Sequence, residues 1–141
     1  VVTLALGPFT ATPASHVPLM LSMLFGPSIA GIVGFGSALG FTMKLTPVVG
    51  MRAAMHIPVG ILGAWLIRKK VSFPLTLAIV APLHALLEAL IVLLFGYTLK
   101  SAGSVVGLGT LAHHAVDSAI AVFLWGILFS KSGILRNVHA Q

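Results

Sequence analysis

The sequence predicts an all-α fold, a polytopic bundle of transmembrane helices forming one domain over residues 1–141. Three observations carry that prediction. Apolar residues make up 58% of the chain, and the mean hydropathy is +1.12. Only 7% of residues are charged, against roughly 25% in an ordinary soluble domain, too few to cover a water-facing surface. Apolar stretches of about 18 residues or more recur between glycine and proline punctuation, the pattern of membrane-spanning helices. A soluble enzyme and a disordered chain are excluded on these grounds. The pI near 10.6 reflects missing acids rather than a basic patch. The longest basic run is Arg68-Lys69-Lys70, so a nucleic-acid partner is not expected. The absence of cysteine excludes disulfides, Cys-ligated zinc and thiol nucleophiles. No signal peptide is visible at the Val1 start.

The elements follow in order. Residues 1–6 (VVTLAL) read as the end of an apolar element, a remnant of a helix that precedes Val1. Residues 7–18 hold three prolines and several small polar residues and read as a loop. Residues 17–43 are apolar but interrupted at Gly26-Pro27-Ser28. Periodicity leaves open one kinked span or two helices, because Pro27 removes a backbone donor. Residues 47–67, 74–97 and 105–129 are three further spans, each able to cross a hydrocarbon core of about 30 Å at about 1.5 Å per residue. Thr46-Pro47, Ser72-Phe73-Pro74 and Ser104 place capping hydroxyls at their starts. Gly36-x-x-x-Gly40 allows close helix approach, read first as packing within the bundle and second as a docking face.

Charge sets the expected orientation. Three antiparallel spans put Arg68, Lys69, Lys70, Lys131 and Arg136 on one side and Lys44 and Lys100 on the other. The first side is therefore cytoplasmic, and loops 44–46 and 98–104 are external.

The informative residues are the polar ones inside the spans. Both acids of the chain, Glu88 and Asp117, lie there, as do Arg52 and most of the histidines. An ionisable group in hydrocarbon costs about 3 kcal/mol or more, so each must face the interior and find a partner. Arg52 and His56 are four residues apart, and so are His84 and Glu88, and His113 and Asp117. Each pair shares one helix face, and the three pairs can meet at one depth in the outer half of the bundle. His16 and His114 join the candidate set, and His139 in the tail is left to solvent. A purely structural network is the competing reading. Hydrogen bonds within membranes average well under 1 kcal/mol, however, which makes six such groups a poor source of stability. Three uses remain open. Arg52 can hold a carboxylate while Glu88, Asp117 or an imidazole bonds a ring nitrogen. His84, Glu88, His113 and Asp117 can ligate a metal. A His–carboxylate chain can relay protons for an ion-coupled carrier. No phosphate-binding loop is present, so ATP hydrolysis is not expected of this chain, and no nucleophile elbow is present either.

The stretches TATPASHVPLMLSMLFGP (10–27), RAAMH (52–56), HALLE (84–88) and GLGTLAHHAVD (107–117) resemble the substrate-binding S components of energy-coupling factor (ECF) vitamin transporters, niacin-type members above all. That resemblance implies six helices in a prokaryotic plasma membrane with both termini cytoplasmic. The first helix would be mostly absent here, and 17–43 would divide into a short second helix and a third. It implies an external loop at 7–16 that covers the vitamin with help from 98–104. The partners it implies are a membrane T component and two ATPase subunits that drive release. Carried over by motif, Arg52, His56, His84, Glu88, His113 and Asp117 would bind the vitamin, joined by His16 and His114. No cofactor and no metal is expected. The related cobalt and nickel S components use a histidine near a free N-terminus, whereas MHIP here is internal (55–58). An intramembrane metal site serving metal uptake and a stand-alone ion-coupled carrier are the alternatives.

Overall fold

The computed structural model describes residues 4–6 and 9–130, with side chains over 12–128. Lys131, Arg136 and His139 lie outside the described residues, so the expectations for them find no structural counterpart. The chain is an all-α bundle with a small hairpin at its start. Strands β1 (Leu4–Leu6) and β2 (Phe9–Ala11) pair antiparallel, with Leu4 opposite Ala11 and Leu6 opposite Phe9. This corrects two expectations: residues 4–6 are not the end of a helix, and the segment 7–18 is not all loop. A three-residue apolar run beside Gly7-Pro8 suits a tight hairpin as well as a helix end, and periodicity cannot separate runs this short.

Helix α1 (Val17–Ser22) begins on Pro18 near its first turn and runs into a 3₁₀ turn at Met23–Phe25. Gly26 then adopts φ +110°, a conformation closed to most residues, and α2 (Pro27–Lys44) starts with proline at its first position. The region 17–43 is therefore two helical pieces, the division implied by the resemblance. The next span also divides, at Met55, into α3 (Pro47–Ala54) and α4 (His56–Arg68). Pro58 explains the break, because it has no N–H to donate to the carbonyl four residues earlier, that of Ala54, and its ring crowds that oxygen. Thr46 caps α3 by accepting from the Val49 amide at 3.3 Å.

Helix α5 (Phe73–Leu93) carries Pro82 in its interior and ends before Gly96, which has φ +81°. Ser72 stands at its N-cap position, but its side chain makes no capping bond. The last leg begins earlier than expected. A short α6 (Leu99–Ser101), capped by Thr98 Oγ1 on the Ser101 amide at 3.1 Å, continues through a π-helical turn (Ala102–Gly107) into α7 (Leu108–Ser130). Ser104 is thus not the cap; it sits inside the turn and donates back to the Lys100 carbonyl at 2.6 Å. Among the described residues, Pro47–Arg68, Phe73–Leu93 and Leu99–Leu128 are each long and apolar enough to cross a membrane.

The main apolar core joins Val17, Leu19, Met20 and Met23 to Val59 and Ala64 of α4, Phe73, Leu77 and Val80 of α5, and Ala121 of α7. α2 meets α4 closely. A Cβ on Gly34 would lie 3.0 Å from the Ile57 backbone, so only glycine fits that crossing. Gly36 and Gly40 do not make this contact. Both are exposed and have nothing within 4 Å of a built Cβ, so the expectation that they pack within the bundle is overturned. The inward face of α2 is Ala30, Gly34 and Ala38 instead.

Candidate functional site

Above the apolar core, the polar residues of four elements converge. Arg52 projects from α3, His56 from the first turn of α4, His84 and Glu88 from α5, and His114 and Asp117 from α7; all are buried. His16 is brought in by the chain just ahead of α1 and is buried too. His113 is only partly buried.

Glu88 is the centre of one group. Its Oε2 accepts from Arg52 Nε at 2.9 Å, from Arg52 Nη2 at 2.6 Å and from Thr110 Oγ1 at 2.7 Å. Its Oε1 faces His84 Nε2 at 3.2 Å and His56 Nε2 at 3.8 Å. The fork of Arg52 is therefore oriented by an anion of the chain itself, a short, charge-assisted arrangement. The sequence reading left Arg52 to an incoming carboxylate; in the structure it already shares its charge with Glu88.

Asp117 is the centre of the other group, and its partners are of a different kind. Oδ1 accepts from the Ala14 amide at 2.8 Å, and Oδ2 from the His16 amide at 2.9 Å. The His16 ring adds Nδ1 to Oδ2 at 3.0 Å, and His113 Nε2 lies 3.2 Å from the same oxygen. His113 Nε2 also reaches the Thr12 carbonyl at 3.0 Å. Asp117 and His113 together pin residues 12–16 over the site. The pinned loop includes Ala14 at φ +66°, a left-handed conformation that a non-glycine residue holds only under constraint.

His16 links the groups. Its ring stands 4.7 Å from that of His56, 4.8 Å from His84 and 4.4 Å from His113, centroid to centroid. Burial pushes the His16 imidazole below its ordinary pKa, against the opposing pull of the Asp117 hydrogen bond. His114 turns to the other side, with Nδ1 3.0 Å from His84 Nδ1 and Nε2 3.1 Å from the Leu77 carbonyl.

All eight sequence candidates thus gather in one region, but as two carboxylate centres rather than one ring. The metal set suggested by the sequence, His84, Glu88, His113 and Asp117, is split between them. The structure groups His16, His56, His84 and Glu88 on one side and His16, His113 and Asp117 on the other. Sequence reasoning missed Thr110, Ser37 and the loop backbone. Thr110 had a signal, since it lies four residues before His114. Ser37, which meets His56 Nδ1 at 3.3 Å, and the Ala14 amide had none.

A cavity opens on this region, lined by Thr12, His16, Arg52, His56, Glu88 and His113 among others. Its cavity volume is about 30 Å³, room for a water-sized group with the side chains as they stand. Its walls supply a guanidinium, a carboxylate and three imidazoles, a set suited to a small polar anion.

The chain is similar to a niacin transporter. It shares 33% identity with the niacin transporter NiaX of Lactococcus lactis subsp. cremoris, over 90% of this chain and 65% of that protein. The chain thus spans a little less than two thirds of NiaX. No family model matches it, and no solved structure does so significantly. The similarity to NiaX agrees with the resemblance to niacin-type S components drawn from the motifs.

Proposed function

We propose that this chain is the membrane-embedded, substrate-binding part of an ECF-type importer, and that it captures nicotinate or a vitamin of closely similar chemistry. The observation that carries the reading is a buried Arg52–Glu88 pair walling an open cavity beneath a pinned loop. Buried charge inside a membrane bundle is expensive and by default functional. The similarity to NiaX supports the choice of vitamin.

The residues divide the work as follows. A carboxylate entering the cavity shares the Arg52 guanidinium with Glu88, which has already fixed its plane. The ring nitrogen at the ligand's other end takes an N–H from His56, on the cavity wall. Asp117 and His113 hold the loop that separates the ligand from water. The chain performs no chemistry; ATP hydrolysis belongs to two partner ATPases acting through a T component.

Mass spectrometry of small molecules released from the purified protein tests the ligand, with nicotinate expected. Uptake of labelled nicotinate tests the partners. Uptake is expected only when the T component and ATPases are co-expressed, and equal uptake without them would establish a stand-alone carrier instead.

A further inference from the structure

The histidines around Glu88 are arranged in a way that the transport reading does not require. Each of three has its Nδ1 bonded outward. His16 Nδ1 goes to Asp117 at 3.0 Å, His56 Nδ1 to Ser37 Oγ at 3.3 Å and His84 Nδ1 to His114 at 3.0 Å. The Asp117 carboxylate only accepts, so His16 Nδ1 carries the proton and its Nε2 carries a lone pair. Nε2 of His56 and Nε2 of His84 are both fully buried and make no hydrogen bond, although both face Glu88 Oε1. At 3.8 Å the His56 contact is too long, and at 3.2 Å the His84 contact is misaligned. Glu88 Oε2 accepts from Arg52 and Thr110, while Oε1 faces these two nitrogens. Buried nitrogens turned toward a carboxylate oxygen without a hydrogen bond are costly in an apolar interior. A shared cation removes that cost.

We infer that His16, His56, His84 and Glu88 form a binding site for one divalent transition-metal ion of the zinc class. Their four ligand atoms lie within 4.8 Å of one another and come from three separate parts of the chain: the segment ahead of α1, α4 and α5. Tetrahedral ligands at about 2.0–2.1 Å from a metal stand roughly 3.4 Å apart, so small imidazole rotations close the set. Three nitrogens and one oxygen suit zinc, with nickel, copper and iron as competitors. The outward Nδ1 bonds are the second feature of a built site, because metal-bound imidazoles are held and oriented through their other nitrogen. His16, His56 and Glu88 also line the cavity, so the ion would stand at its wall, open to a ligand's carboxylate or ring nitrogen. The site stands on this geometry alone and not on the identity of the vitamin.

The test uses the untagged full chain, stripped with chelator and titrated with zinc, then with cobalt as a spectroscopic substitute. One zinc per chain is expected, together with the intense visible absorption of four-coordinate cobalt. The H56Q/H84Q variant should lose both. Ser37→Ala, which removes only the bond behind His56, should weaken zinc roughly tenfold. His139→Gln should bind zinc as the parent does. Absence of stoichiometric zinc in the parent, or full binding retained by H56Q/H84Q, would overturn the site. The cobalt spectrum of the parent decides even if the double variant fails to fold. The two readings fail separately: missing zinc removes the metal site whatever nicotinate does, and missing nicotinate binding removes the transport reading whatever zinc does.

Discussion

The two buried acids invite comparison because their sequence settings are alike. Each lies inside a long apolar helix, four residues after a histidine. Their surroundings differ. Glu88 is bonded by side chains, those of Arg52 and Thr110, and borders the cavity. Asp117 takes two backbone amides of the loop that precedes α1 and does not line the cavity. A carboxylate held by side chains can exchange partners by changing rotamers. One held by backbone amides fixes a segment of chain. The comparison separates a group that can meet a ligand from one that builds the lid above it.

Glu88→Gln should do the most damage, since it leaves the buried Arg52 charge without a counter-ion. A loss of about 3–5 kcal/mol is expected, read as a large fall in Tm in detergent, with the 12–16 loop still protected from protease until the protein melts. Asp117→Asn should cost less, about 1–3 kcal/mol, because the amide retains one accepting oxygen. Its signature is different: cleavage within 12–16 below the melting temperature. If both variants gave the same pattern, the distinction between the two acids would fail. Thr110→Val removes one of three donors to Glu88 Oε2 at nearly constant volume and should cost about 1 kcal/mol, with the loop unaffected. Gly36→Ala, on the outer face of α2, should change stability by no more than about 0.5 kcal/mol. Gly34→Ala, against the Ile57 backbone, should cost clearly more, by about 1–3 kcal/mol.

Much of this arrangement was legible in the sequence, for physical reasons. A spacing of four within one unbroken helix fixes two side chains to one face, so His84 with Glu88, and His113 with Asp117, were bound to point together, whereas Arg52 and His56 stand on either side of the break at Met55 and are brought to the same site by packing. Desolvation then left the interior as their only destination. The division into two centres was not legible. It depends on the Ala14 and His16 amides, and backbone groups carry no signature in a sequence. The adjacent pair His113 and His114 must point about 100° apart on a helix, but which faces the loop is decided by packing. The break at Met55 was readable in principle, since Pro58 forbids the Ala54 carbonyl its bond. The hairpin at 4–11 was not, because its strands are three residues each. The glycines of α2 show the limit of motif reading: Gly36-x-x-x-Gly40 matched the pattern, yet Gly34 makes the contact.

The central claim is that the Arg52–Glu88 centre receives a carboxylate. Calorimetric titration of the purified protein with nicotinate and with nicotinamide, which differs in having a neutral amide at that position, tests it without disturbing the fold. A charge-assisted bond of about 1.5–3 kcal/mol corresponds to roughly 10–100-fold tighter binding of nicotinate, a preference that Arg52→Lys should largely erase. Equal affinity for the two ligands in the unaltered protein would contradict the claim.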